Sequence, residues 1–189
     1  LMWRDLDART ADLLQNPVVR HILNTKEHAS YPLKTPLVEV AELDRRDAKN
    51  VLTTMDADPT QLQAIFAAED GNSFVLQGPP GTGKSQTITN MISALLGRGK
   101  TVLFVSEKMA ALDVVYSRLS RVGLERFCLK LHSNKSNKKQ IIHAIAEALQ
   151  EPSVTASEEW RLQTKTLIKQ RDALNEFASF LAKKTPFQE

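Results

Sequence analysis

The feature that most constrains this chain is the run Gly78–Ser85, which reads GPPGTGKS and matches the spacing G-x-x-x-x-G-K-[ST] at each specified position. Gly81 and Gly83 permit backbone dihedrals that a side chain would forbid, so the loop can curl and direct several N–H groups at one anion. The run therefore predicts a phosphate-binding loop. In such a loop Lys84 donates to the β- and γ-phosphates and is the candidate catalytic residue, while the Ser85 hydroxyl is a candidate Mg²⁺ ligand.

A loop of this kind lies between a strand and a helix, and the flanking sequence predicts both. Residues 73–77 (SFVLQ) form a short apolar run, and residues 83–96 have the apolar spacing of a helix. The positive end of that helix would face the same anion. The candidate nucleotide-binding residues of this region are Gly78, Pro79, Pro80, Gly81, Thr82, Gly83, Lys84, Ser85 and Gln86.

The rest of the chain predicts an α/β fold. Apolar runs at 101–106 and 126–131 alternate with helical patterns at 108–122 and 140–149, and this alternation predicts crossover connections and a parallel sheet flanked by helices. A further helix is predicted at 59–69, where Asp58 can cap the first turn and Pro59 is tolerated. Three parts are expected: a helical and irregular segment at 1–57, a P-loop nucleotide-binding domain at 58–151, and a helical arm at 152–189.

The arm carries apolar side chains at intervals of seven residues, namely Trp160, Leu167, Leu174 and Leu181. This spacing alone would suggest a coiled coil, but the flanking pattern is irregular. The pattern therefore favours one long helix, about 157–183, that folds onto a partner element, and it disfavours a sustained coiled coil.

Composition excludes several classes of protein. Hydrophobic residues are 42% and charged residues 25%, which is typical of a globular protein, and the net charge of +3 is too small to indicate nucleic-acid binding by itself. No run approaches the 18 apolar residues of a membrane span, and the charged first ten residues do not resemble a signal peptide. A single cysteine, Cys128, permits no internal disulfide, which fits a reducing cytosol, and its apolar surroundings favour a buried position. Because the chain begins at Leu1, we expect a fragment or a processed product.

Two glutamines upstream of the loop are candidates for base recognition. A glutamine amide offers an acceptor and two donors, so it can pair with N6 and N7 of adenine. Gln61, about seventeen residues before Gly78, is the first candidate for adenine selection. Gln63 is the rival, because two residues along a helix place it on another face. The alternative for both is a solvated position on the helix surface.

Three blocks together resemble the opening motifs of superfamily 1 helicases, in the subgroup that includes the nonsense-mediated-decay helicase. They are Gln61–Ile65, the loop with its flanks (FVLQGPPGTGKSQT), and residues 102–112 (VLFVSEKMAAL). The resemblance covers nearly the whole chain and is strongest from 58 to 140. It implies the first part of a RecA-like motor domain, ATP and Mg²⁺ as cofactors, and adenine recognition by Gln61.

The resemblance also implies a surface for single-stranded nucleic acid. Ligands of an open parallel sheet bind beyond the carboxyl ends of its strands, where hydroxyls and lysines can hold phosphates without reading bases. The candidate residues at those ends are Ser106, Lys108, His132, Ser133 and Lys135. Two alternatives stay open: Ser106 only caps the following helix, and the cluster from Lys135 to Lys139 is a solvated loop.

One part of the helicase pattern is not found. A motor needs an acidic pair after an apolar strand to hold Mg²⁺ and position water, but Glu69-Asp70 ends a helix and Glu158-Glu159 opens one. The expected function is therefore the ATP-binding part of a cytoplasmic, ATP-dependent helicase or translocase, inactive by itself. Its expected partners are single-stranded nucleic acid, DNA in the first place, and the parent's other domains, including a second RecA-like domain; no membrane is expected. The alternatives are a non-catalytic ATP-binding regulatory or scaffold module, or another P-loop NTPase or kinase.

Overall fold

The computed structural model describes residues 2–23, 33–131, 138–150 and 158–182. The α-helices in these ranges are α1 (Met2–Ala8), α2 (Thr10–Leu13), α3 (Pro17–Leu23), α4 (Pro59–Glu69), α5 (Lys84–Gly97), α6 (Met109–Arg121), α7 (Lys138–Gln150) and α8 (Glu158–Ala182). Short 3-10 helices occur at Val40–Arg45, Ala48–Asn50 and Glu125–Phe127. The helices predicted at 59–69, 83–96, 108–122, 140–149 and 157–183 are confirmed to within two residues at each end.

The start of α4 shows why local sequence determines a helix boundary. The Asp58 side chain accepts a hydrogen bond from the Gln61 backbone N–H at 2.9 Å, and the Gln61 side chain accepts from the Asp58 N–H at 3.3 Å. Pro59 occupies the first helical position, where its missing N–H is not needed. This reciprocal capping box satisfies N–H groups that the helix itself cannot pair.

The parallel sheet predicted from the sequence is wrong for the residues that the structure describes. No strand is present in the runs 73–77, 101–106 or 126–131, no ladder of backbone hydrogen bonds joins them there, and part of the third run is a 3-10 helix. In the second run Val102 and Phe104 pack against the core, whereas Leu103 and Val105 are 87% and 76% exposed.

The physical reason lies in what an apolar run specifies. A run of β-branched and apolar residues predicts burial, but a strand exists only where the N–H and C=O groups of two segments pair with each other. In the described residues Val102, Phe104 and Cys128 pack against the cluster formed by α5 and α6, so the apolar pattern of the second and third runs is partly satisfied without a sheet.

Helix α5 lies at the centre of the described core. On one side Ala94 of α5 belongs to a buried cluster with Leu43 of the first 3-10 helix and with Ile65 and Phe66 of α4. On the other side Ile92 packs with Val115 and Leu119 of α6. Both clusters contact α5. The end of the loop that leads into this helix is therefore anchored to the core.

Helix α8 folds back onto the first 3-10 segment, as the interpretation of an arm on a partner element predicted. The Arg171 guanidinium donates to the Arg46 carbonyl at 3.1 Å, and the Asn175 amide donates to the Asp44 carboxylate at 2.9 Å. The heptad residues Leu167, Leu174 and Leu181 remain exposed. None of the helices in the described ranges is long and apolar enough to span a membrane.

Candidate nucleotide-binding site

The backbone of the loop requires glycine at two positions. Gly81 has φ 87° and Gly83 has φ 76°, in the region that side chains rarely enter. Gly83 is the residue directly before α5 and has the left-handed conformation, so it turns the loop into the helix. The glycines of the sequence motif therefore occupy the positions that need them.

A third glycine is required by space. A Cβ atom at Gly78 would lie 2.6 Å from the Thr82 hydroxyl and 3.2 Å from Cγ of Lys84. The Thr82 hydroxyl donates to the Pro79 carbonyl at 2.9 Å and closes the loop on itself. The result is a tight turn in which the Thr82 side chain lies directly beside Gly78.

Lys84 and Ser85 are the first two residues of α5. The Lys84 ammonium donates to the Gly78 carbonyl and, at 2.7 Å, to the Pro79 carbonyl, so its charge lies at the loop. The first N–H groups of a helix have no partner within it, and the helix dipole adds positive potential there. A cation, the N–H groups at the start of a helix and a tight glycine turn are the features from which anion-binding sites are built.

The structure separates the two candidate glutamines. The Gln61 amide donates to the Thr82 carbonyl at 3.2 Å, which places its side chain on the loop. A Cβ atom at Gly83 would lie only 2.5 Å from Nε2 of Gln61. Gln63 instead donates to the Val38 carbonyl at 2.8 Å. Gln61 is therefore the glutamine beside the loop.

Gln86 is turned toward the segment that precedes α4. Its side-chain amide donates to the Asp56 carbonyl. One turn further along α5, Asn90 is completely buried and binds the backbone of Thr54 and Met55. The sequence analysis did not identify Asn90; the available signal was an amide side chain within the largely apolar stretch from 88 to 96, which also contains Thr89 and Ser93.

The candidate nucleic-acid residues are only partly within the described ranges. The Ser106 hydroxyl accepts from the Lys108 N–H at 3.3 Å and donates to the Lys108 carbonyl at 3.2 Å, which builds the turn before α6. Lys108 is the N-cap residue of α6 and is exposed. His132, Ser133 and Lys135 lie outside the described residues.

The two acidic pairs have partners away from the loop. Glu69 is only 3% exposed and pairs with Arg46 and Arg98. Asp70 binds Arg46 at 2.5 Å, and the second pair, at the start of α8, contacts Arg161 and Gln163 on the same helix. Among the described residues, no group of three or more His, Cys, Asp or Glu side chains could hold a metal ion.

Two side chains near these elements have shifted acidities. Hydrogen bonds from Thr60 and from the Gln61 N–H lower the pKa of Asp58. Burial, with a smaller contribution from Glu125, raises the pKa of the Cys128 thiol. Cys128 packs against the cluster of α5 and α6 but is half-buried, whereas its sequence context predicted a buried position. A thiol with a raised pKa is a poor nucleophile.

Comparisons with known proteins give the family. The model of the AAA domain matches residues 56–186. The uncharacterized ATP-dependent helicase MG140 of Mycoplasma genitalium is 36% identical over 146 residues, which are 75% of this chain and 13% of that protein. Its Mycoplasma pneumoniae homolog is 45% identical over 87 residues (46% of this chain, 8% of that protein). Helicase sen1 of Schizosaccharomyces pombe is 47% identical over 51 residues (26% and 3%).

The chain thus spans about an eighth of the length of the first of these relatives. No solved structure matches it. The relatives confirm the predicted resemblance to superfamily 1 helicases, and the family model covers more than half of the chain, including the whole loop. The chain belongs to the AAA domain family of P-loop proteins, in its superfamily 1 helicase-like branch.

Proposed function

We propose that this chain is the ATP-binding part of an ATP-dependent nucleic-acid helicase or translocase. The observation that carries the proposal is the loop itself: Gly81 and Gly83 at positive φ, no room for a side chain at Gly78, and Lys84 at the start of α5. The helicase names of the relatives support the motor function and do not favour a non-catalytic module or a kinase.

The residues present fit a triphosphate. Lys84 now donates to two neutral carbonyl groups, and a phosphate oxygen would attract the ammonium more strongly because it carries negative charge. The unpaired N–H groups at the start of α5 would bind the same anion. Ser85 would be the protein ligand of Mg²⁺, and the ion would neutralise charge on the phosphate oxygens.

The proposed role of Gln61 is recognition of adenine. Its amide uses one hydrogen on the Thr82 carbonyl and one acceptor site on the Asp58 N–H. One donor and one acceptor remain, because the amide nitrogen carries two hydrogens and the oxygen two lone pairs. This remaining pair matches N7 and N6 of adenine, so selection does not require the capping box to break.

The nucleic-acid partner is also part of the proposal. The relatives are named helicases, and Lys108 presents a cation at the turn that Ser106 builds before α6. We propose that this turn contacts single-stranded nucleic acid, DNA in the first place, through its phosphates. Two further points remain predictions from sequence. One is the division into the segment 1–57, a motor domain at 58–151 and the arm 152–189, and the other is a cytoplasmic location.

The decisive experiment is a titration of ATP with Mg²⁺ into the 189-residue chain and into Lys84→Ala. A hydrogen bond between charged groups contributes about 1.5–3 kcal/mol, so we expect the substitution to weaken binding roughly 10- to 100-fold. Lys100→Ala is the control, because this exposed lysine lies just beyond the other end of α5. Equal affinity of the chain and Lys84→Ala for ATP would contradict the proposal.

A further inference from the structure

Asn90 is a completely buried polar side chain on the helix that follows the loop. Its oxygen accepts hydrogen bonds from the N–H groups of Thr54, at 3.1 Å, and Met55, at 3.0 Å. Its amide nitrogen donates to the Met55 carbonyl at 3.0 Å. One side chain thus satisfies both kinds of backbone group of a segment 35 residues away, which an amide can do and a carboxylate or hydroxyl of the same length cannot do equally well.

Two further contacts hold the same segment to α5. The Gln86 amide donates to the Asp56 carbonyl, one turn toward the loop from Asn90. The Thr54 hydroxyl lies 3.0 Å from the Ser93 hydroxyl, one turn in the other direction. The segment 53–57, which we call the tethered segment, is therefore held to the phosphate-binding helix at three successive levels.

The tethered segment leads directly into the start of α4. Ala57 precedes Asp58, and the capping box between Asp58 and Gln61 fixes the Gln61 side chain. A cavity of about 370 Å³ is lined by the tethered segment together with Val51 and Leu62, the latter adjacent to Gln61 in the chain. The hydrogen bonds of Asn90 are thus connected to Gln61 through the tethered segment and the capping box.

We infer that Asn90 is a positioning residue for the nucleoside end of the bound nucleotide. This inference rests on the proposed function, because it assumes that the loop binds a nucleoside triphosphate whose base lies at Gln61. By holding the tethered segment to α5, Asn90 sets the distance between the base-reading amide and the phosphate-binding loop before the ligand arrives. Such preorganisation raises affinity by removing an ordering cost from binding.

A role of this kind affects only part of the ligand. The hydrogen bonds of Asn90 reach Thr54 and Met55 of the tethered segment, whereas the proposed loop donors come from Gly78 to Ser85. Inorganic triphosphate should therefore bind equally well without Asn90, whereas ATP should lose the contribution of its base. If Asn90 served only the folding of the protein, its loss would weaken the binding of both ligands together or of neither.

The test measures the Kd of ATP, GTP and inorganic triphosphate, each with Mg²⁺, for the 189-residue chain and its variants. Asn90→Leu keeps the size of the side chain and removes all three hydrogen bonds. Asn90→Asp keeps the acceptor for the two N–H groups and gives a partial rescue. Thr89→Val is the matched control, because Thr89 is also completely buried on α5 but its hydroxyl binds only the Ser85 carbonyl of the same helix.

If the tethered segment of Asn90→Leu lies against α5 in only one molecule in ten, the Kd of ATP rises about tenfold. We expect the Kd of triphosphate to change by less than about twofold, the preference for ATP over GTP to shrink, and Asn90→Asp to fall between. Equal losses for ATP and triphosphate, or no loss for either, would overturn the inference. If Asn90→Leu does not fold, Asn90→Asp alone tests the inference, through the ratio of the Kd of ATP to that of triphosphate and the ratio of the Kd of ATP to that of GTP. Failure of the unaltered chain to bind ATP would instead refute the proposed function.

Discussion

At the scale of single residues, Gly81 and Gly83 share a positive φ but differ in what a side chain would meet. Alanine at either position is strained, and we expect each to cost about 1–2 kcal/mol of stability. A Cβ atom at Gly81 meets nothing within 4 Å, whereas one at Gly83 would lie 2.5 Å from Nε2 of Gln61. Because Nε2 is the end of a flexible side chain, the alanine at 83 should displace the Gln61 amide.

We therefore expect Gly83→Ala to reduce the preference for ATP over GTP and Gly81→Ala to leave it intact. Urea unfolding gives the stabilities, and competition titration gives the preference. Gln61→Ala opens the space at Gly83, so in that background the two alanine variants should show the same ratio. Identical ratios for the two single variants would show that Gln61 does not contact the base.

The lowered pKa of Asp58 predicts that part of the stability of the chain depends on pH. Its pKa is lowered from the usual 3.8 by hydrogen bonds that its charged form accepts. A lowered pKa in the folded state contributes stability that is present above pH 3.8 and is lost as the pH falls through the folded value. Asp58→Asn keeps a good N-cap without the charge. We expect its Tm to lie below that of the unaltered chain near neutral pH and the two to converge in acid.

Melting curves across this range, recorded for both proteins in one buffer series, provide the measurement. The control is Asp47→Asn, because the Asp47 side chain also caps a short helix, through a hydrogen bond from the Lys49 N–H. A Tm difference for Asp58→Asn that does not depend on pH would contradict the electrostatic explanation.

At the scale of elements, Arg46 joins the first 3-10 segment to the end of α4. Its guanidinium binds Asp70 at 2.5 Å and Glu69 at 3.4 Å and lies 4.3 Å from the centre of the Phe66 ring. Glu69 is almost completely buried, so loss of its cation would leave a charge without a full complement of partners. Such a loss is destabilising when one partner of a buried pair is removed.

We expect Arg46→Ala to lower the free energy of unfolding by about 1–3 kcal/mol, since the site is partly open to water and Arg98 still pairs with Glu69. Arg45→Ala is the control. The Arg45 side chain is 78% exposed and pairs with Glu42 of its own turn, so its loss should change stability by less than about 0.5 kcal/mol. Equal effects of the two substitutions in urea unfolding would refute this account.

At the scale of the whole molecule, binding and hydrolysis of ATP depend on different parts. The residues that we propose for binding lie in Gly78 to Ser85 and at the start of α5. Hydrolysis also needs a carboxylate that positions water, and the two acidic pairs of the described residues have other partners. An arginine that stabilises the transition state is worth about 10³ to 10⁵ in rate, and Arg46 and Arg98 are bound to Glu69.

We therefore expect the 189-residue chain to bind ATP but to release phosphate far more slowly than about 1 s⁻¹, with or without single-stranded DNA. Phosphate release by the purified chain is the measurement, and Lys84→Ala supplies the blank. Turnover near 1 s⁻¹ that is lost in Lys84→Ala would show that other residues complete the site.

Features determined over a few residues could be predicted from the sequence. The turn at Gly81 and Gly83, the start of α4 at Asp58 and the ends of α5 and α6 follow from hydrogen bonds and dihedral limits within one or two turns of chain. The phosphate-binding loop belongs to this class, because its donors and its cation lie within eight consecutive residues. A sequence motif can therefore identify it without knowledge of the fold.

Features that join distant segments were decided only by the tertiary structure. In sequence Gln61 is the first candidate and Gln63 its rival on the same helix, and the contacts with Thr82 and Val38 separate the two. The sheet was predicted wrongly for the described residues because apolar pattern reports burial, whereas a ladder needs two backbones to pair. Asn90 was missed for the same reason. Its role depends on hydrogen bonds to partners 35 and 36 residues away, and only the packing of the chain brings Asn90 and these partners together.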